Sequence, residues 1–106
     1  MISLKQICKI AFLAIFSMHT AFTLYAADRY SVASGNWNAT STWSASSGGP
    51  PGASVPVAGD DVYMESNHTI TVTANAACAS ITFTGNGSTL TVNFSIILAV
   101  SGTVTK

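Results

Sequence analysis

From Asp61 to the end of the chain, apolar residues recur at nearly every second position. The runs Asp61–Met64, Thr69–Thr73, Ser80–Thr84, Thr89–Val92 and Asn93–Val100 each alternate, the signature of a strand with one face buried and one face wet. The inward set is Val62, Met64, Ile70, Val72, Ile81, Phe83, Leu90, Val92, Phe94, Ile96, Leu98 and Val100, with Val104 following the Gly102 turn. The outward set is mostly threonine (Thr69, Thr71, Thr73, Thr82, Thr84, Thr89 and Thr91), a β-branched residue that suits a pleated surface and stays solvated. No helical period occurs outside the amino-terminal segment, so the pattern predicts an all-β chain.

The region before this ladder reads differently. Between Asp28 and Pro56 no period stands out, and Ser46 to Pro56 (SSGGPPGASVP) is a run of turn formers. Trp37 and Trp43 lie in this region. Each carries a large apolar area that favours burial, which predicts a cap folded over the first rung of the ladder. The functional reading makes the same two rings a sugar-stacking platform.

The amino end is a leader. Lys5 and Lys9 precede the apolar run Ile10–Leu24, and Leu24-Tyr25-Ala26 offers the small residue a signal peptidase needs. The run is short for a membrane span, and Cys8 lies ahead of it, the wrong place for a lipoprotein. The expected organisation is a signal peptide over 1–26, a Trp/Gly/Pro-rich cap over 27–57 and strand ladder over 58–106. Cleavage after Ala27 fits almost as well.

Removing residues 1–26 alters composition and charge. Of four basic and four acidic residues in the chain, Arg29 and Lys106 remain against Asp28, Asp60, Asp61 and Glu65, a net charge of −2. A charge-poor, slightly acidic surface cannot grip phosphate backbones, so nucleic acid is not an expected partner. Cys78 becomes the only cysteine, flanked by alanines in Asn75-Ala76-Ala77-Cys78-Ala79. It reads as a small buried filler at a turn.

Two architectures accommodate the strands. Gly85-Asn86-Gly87 between alternating runs is a hairpin signal and favours an antiparallel β-sandwich. Short strands with Gly or Asn corners and no helices equally fit a parallel β-solenoid.

Trp43 with Thr42, then Val55-Pro56-Val57-Ala58-Gly59-Asp60-Asp61-Val62, then Asn67-His68-Thr69-Ile70-Thr71-Val72, resembles the opening of the eight-glycine domain family. The tail from Ser80 through Leu90-Thr91-Val92 to Thr105 is similar to that family's later rungs and to the β-helical stalks of large bacterial surface and autotransporter-like proteins. One departure is Asn93-Phe94-Ser95, where the family has glycine. The resemblance implies a short right-handed parallel β-solenoid. It transfers no catalytic residue.

Candidate chemistry is sparse. Asp60, Asp61 and Glu65 form the only acidic cluster and are the calcium candidates, though the D-x-D-x-D-G spacing is missing. His68, the sole histidine after the leader, has no second ligand at zinc spacing. No Gly-x-Ser-x-Gly elbow places a nucleophile. The expectation is a non-catalytic, secreted or cell-surface structural or adhesive module, the amino-terminal part of a larger β-helical protein. It has no cofactor and no membrane span once the leader is gone. Expected partners are cell-surface glycans, or further copies of the chain through the carboxyl-terminal edge. The alternative is a carbohydrate-binding or carbohydrate-active β-helix.

Overall fold

The computed structural model describes residues 26–106. Of the segment read as a signal peptide, all but Ala26 lies outside the described residues. The rest is all-β, with ten short strands and one helical turn. The strands are β1 (Asp28–Ser31), β2 (Gly35–Asn36), β3 (Trp43–Ser44), β4 (Asp61–Met64), β5 (Thr69–Val72), β6 (Ala76–Cys78), β7 (Ser80–Phe83), β8 (Thr89–Val92), β9 (Leu98–Val100) and β10 (Val104–Thr105). The helical turn, Thr40–Thr42, precedes β3. Among the described residues no helix is long and apolar enough to cross a membrane.

The strands form three sheets, in the orders β10-β7-β4-β1-β3, β2-β5-β8 and β6-β9. The first sheet is mixed, because β3 pairs antiparallel with β1 (Ser31 opposite Trp43). The other pairings are parallel, and each joins a strand to its counterpart further along the chain. Val62 lies beside Ile81, Ile70 beside Leu90, Ala76 beside Leu98, and Ile81 beside Val104.

This register stacks like on like, and the core follows from it. Val62, Met64, Ile70, Val72, Cys78 and Ile81 are buried with Trp37 and Trp43, and Phe83, Leu90, Ile96, Leu98 and Val100 pack partly buried against them. Burying side chains of this size stabilises by about 1.5–3 kcal/mol each. The corners are stacked as well. Asn67, in the left-handed region at φ 65, donates its backbone N–H to the Asn86 carbonyl one corner on. Gly85 lies so close beneath Ser66 that a Cβ there would come within 1.8 Å of the Ser66 hydroxyl oxygen.

Several expectations are corrected. Gly85-Asn86-Gly87 is not a hairpin: β7 and β8 belong to different sheets, and the turn is a corner between them. Asn93–Val100 is not one strand. Ile96 N–H closes a turn on the Asn93 carbonyl, Ser95 takes φ 65, and only Leu98–Val100 is extended. That turn throws Phe94 outward to 97% exposure. Val92 and Val104 do occupy inward columns, above Val72 and Ile81, but are 41% and 60% exposed because no described strand covers them. The stretch read as a turn around Cys78 contains β6. The segment read only as cap contains β1 and β2, which extend two of the sheets toward the amino end.

Candidate functional site

The residues proposed for chemistry do not converge. Trp37 and Trp43 are 1% and 0% exposed and meet edge to face, ring centroids 5.2 Å apart at 73°. The Trp43 indole N–H donates to the Trp37 carbonyl at 2.7 Å, and that of Trp37 reaches the Pro56 carbonyl at a long 3.4 Å. A sugar-stacking platform needs an open aromatic face, and neither ring has one. They are the lid of the core.

The acidic cluster is divided by strand geometry. Gly59 takes φ 93, which turns the chain so that Asp60 points inward. The buried Asp60 carboxylate accepts the Ala27 and Val57 backbone N–H groups, each at 3.0 Å. Asp61, the next residue, accepts the Ser80 hydroxyl at 2.7 Å. Glu65 lies past the end of β4, where it accepts hydrogen bonds from Ser47 and Thr84. The three carboxylates thus have separate partners, and no group of three His, Cys, Asp or Glu that could hold a metal ion occurs among the described residues.

His68 has a partner the sequence did not reveal. Its Nδ1 lies 2.8 Å from Ser31 Oγ, which also accepts the Glu65 backbone N–H at 2.8 Å. A serine beside a histidine suggests a nucleophile, but Ser31 is buried. The contact ties β1 to the β4–β5 corner. Cys78 is a buried free thiol. Burial pushes it up to about 11, with the Asp60 and Asp61 carboxylates adding to the effect, so it stays protonated and unreactive at neutral pH.

Two surface features remain. On the outer face of the first sheet, Tyr30 and Tyr63 stack in register, centroids 4.7 Å apart and 13° from parallel. Asp28 and Asp61 form the neighbouring row. The Tyr63 hydroxyl is pushed above its ordinary range, first by the Asp28 charge, then by burial, Tyr30 and Asp61. The patch sets two phenol hydroxyls beside two carboxyl groups. The signal for it was present in the sequence as a repeated Asp-x-Tyr, Asp28-Arg29-Tyr30 and Asp61-Val62-Tyr63.

The second feature is an open groove of about 380 Å³ between the Val55–Ala58 segment and the approach to β6. Its walls include Val55, Pro56, Val57, Ala74 and Ala76, with Trp37 at the base. Apolar walls and few polar groups give it little with which to orient a ligand. Comparison with family models, with curated proteins and with solved structures finds no match to this chain.

Proposed function

We propose that the chain is the opening of a secreted or cell-surface structural module: a short right-handed parallel β-solenoid, capped at its amino end and continued by further coils in a larger β-helical surface protein. One observation carries this reading. Apolar columns built by parallel pairing run from full burial to open surface, from Val72 to Val92 and from Ile81 to Val104. A stack whose interior continues to its last strand is suited to extension by another coil. Right-handedness follows the general rule for parallel crossovers.

The role is structural or adhesive rather than catalytic. The buried Ser31 and dispersed carboxylates support that, as does the outward threonine face. The proposed contacts are further coils or a second copy at the carboxyl-terminal edge, and cell-surface glycans along the outer faces. Export rests on the Lys5/Lys9 leader and the Leu24-Tyr25-Ala26 site. Likeness to the eight-glycine domain is part of the proposal, supported by the physical sense of its turn: Pro56 and Asp60 buried, Gly59 at positive φ, Val62 in the core.

Sedimentation of purified residues 27–106 tests the reading. Self-association is expected at about tens of micromolar, the range in which exposed apolar edges aggregate. It should weaken in Ile97→Lys, an outward position near that edge. A monodisperse monomer across the range overturns the proposal of an open, extendable end.

A further inference from the structure

Asp60 is the one acidic side chain buried among the described residues, 3% exposed. Both its oxygens face backbone donors, Oδ1 the Ala27 N–H and Oδ2 the Val57 N–H. No basic side chain donates to it among the described residues. Arg29, one strand away, gives its guanidinium to Ser54 and to the Asp28 carbonyl. A carboxylate withdrawn from water without a cation is costly even when hydrogen-bonded.

The donor at Oδ1 belongs to a particular residue. Ala27 is held at both backbone groups: its N–H by Asp60, and its carbonyl by the Asp61 N–H at 3.0 Å. Ala26, immediately before it, is exposed. The leader's expected cleavage point is the bond between them.

We propose that cleavage at Ala26–Ala27 completes the fold electrostatically, by making the Ala27 nitrogen an α-ammonium that pairs with the Asp60 carboxylate. This rests on the proposed export. A protease of the signal-peptidase class hydrolyses the amide before the chain folds. Water adds its oxygen to the Ala26 carbonyl carbon as the C–N bond breaks. The departing leader keeps a carboxylate, and the protons of water pass to the nitrogen, which becomes –NH₃⁺. In the uncut chain the same nitrogen is a neutral amide. It makes the hydrogen bond and brings no charge. A cut one residue later removes the donor altogether and leaves Asp28 first, on the outer face of its strand.

Four proteins test the pairing: the chain beginning at Ala27, released from a fusion by a protease that leaves no extra residue, its N-acetylated twin, and both in Asp60→Asn form. Acetylation keeps the N–H and removes only the charge. At about pH 6, below the usual α-amino range, the free-amine protein should melt on the order of 5 °C higher than the acetylated one. The gap should close in the Asp60→Asn pair. Should Asp60→Asn not fold, the rate of α-amine acylation in the native chain decides. It should be at least about tenfold slower than in a peptide of the same first residues, since a paired amine holds its proton more tightly. Equal melting of the free and acetylated proteins, or acylation as fast as the peptide's, overturns the proposal. Sequencing exported protein should give Ala27 first, and Asp28 first overturns it. Material retained at Met1 overturns the export reading, a failure that the melting comparison on purified chain does not share.

Discussion

The two ends of the strand stack solve the same problem with opposite materials. At the amino end the strands themselves contribute little to a core. The positions beside Val62 and Ile70 are Arg29 and Gly35, and the last residue of β1 is the buried Ser31. Trp37 and Trp43 supply the missing volume from above, and β3 closes the sheet edge by pairing antiparallel. Gly35 is needed there, because a Cβ would meet the Thr42 hydroxyl oxygen at 2.8 Å. At the carboxyl end the inward positions are all apolar, yet Leu90, Leu98 and Val100 are half-buried and Val92 and Val104 are exposed. Charge divides the same way. Asp28, Arg29, Asp60, Asp61 and Glu65 lie toward the amino end, and from Ser66 to Thr105 there is no Asp, Glu, Lys or Arg. Hydrophobicity places a residue on the inner face, but a covering neighbour is what makes it core.

The sharpest way to break this comparison is a pair of identical changes in one column. Val72 and Val92 are register partners. Val72→Asp buries an unpaired charge and should cost more than about 4 kcal/mol, enough to unfold so small a domain. Val92→Asp should cost about 1 kcal/mol or less, because its carboxylate reaches water. Urea titration followed by circular dichroism distinguishes them. Similar losses would mean that the carboxyl end is covered in solution.

Next in size are the lid residues. Trp43→Ala should cost about 3–5 kcal/mol, whereas Phe94→Ala should stay within about 0.5 kcal/mol despite removing a ring of comparable chemistry. A smaller effect is expected at the corner. Gly85→Ala should lose about 1–3 kcal/mol through its clash with Ser66, and Ser66→Gly in the same chain should recover part of it. Thermal melts of the two single variants and the double variant measure the coupling.

Cys78, in the middle of the stack, gives a pH test. Its folded value of about 11 lies above the unfolded thiol's, near 8.5, so the unfolded chain releases its proton first. The thiol's contribution to stability is therefore intact below about pH 8.5. It is lost progressively as pH rises toward the folded value. Alkylation at pH 8 should be slow until the protein unfolds, and Cys78→Ser should flatten the alkaline loss.

Legibility followed the same division. β4 and β8 are readable from alternation alone, and β5 and β7 differ from expectation by one residue at their ends, because Val, Ile, Leu and Thr give a strong two-residue contrast. β6 is invisible to that signal: its Ala76 and Ala77 are too small to register as inward or outward. β1 is hidden for another reason, since its inward residues are Arg29 and Ser31, recruited to bond Ser54, His68 and Glu65. The Trp lid could be anticipated from the cost of exposing two indoles. The Asp60 contact with Ala27 could not, because it joins residues 33 apart whose meeting depends on the register of β1 and β4. Phe94 eludes the same signal, because a turn with a left-handed serine looks, in one dimension, like a continuing alternation.

The lid also determines what light can report about this molecule. Trp37, Trp43, Tyr30 and Tyr63 are all the indoles and phenols among the described residues, and all lie toward the amino end. Intrinsic fluorescence therefore watches one end of the stack and is blind to β8, β9 and β10. Far-ultraviolet dichroism weighs every strand. If the carboxyl end frays before the lid opens, the dichroic signal will fall while the emission stays that of buried indole. The separation between the two curves would give the difference in stability between the ends, without a substitution or a label.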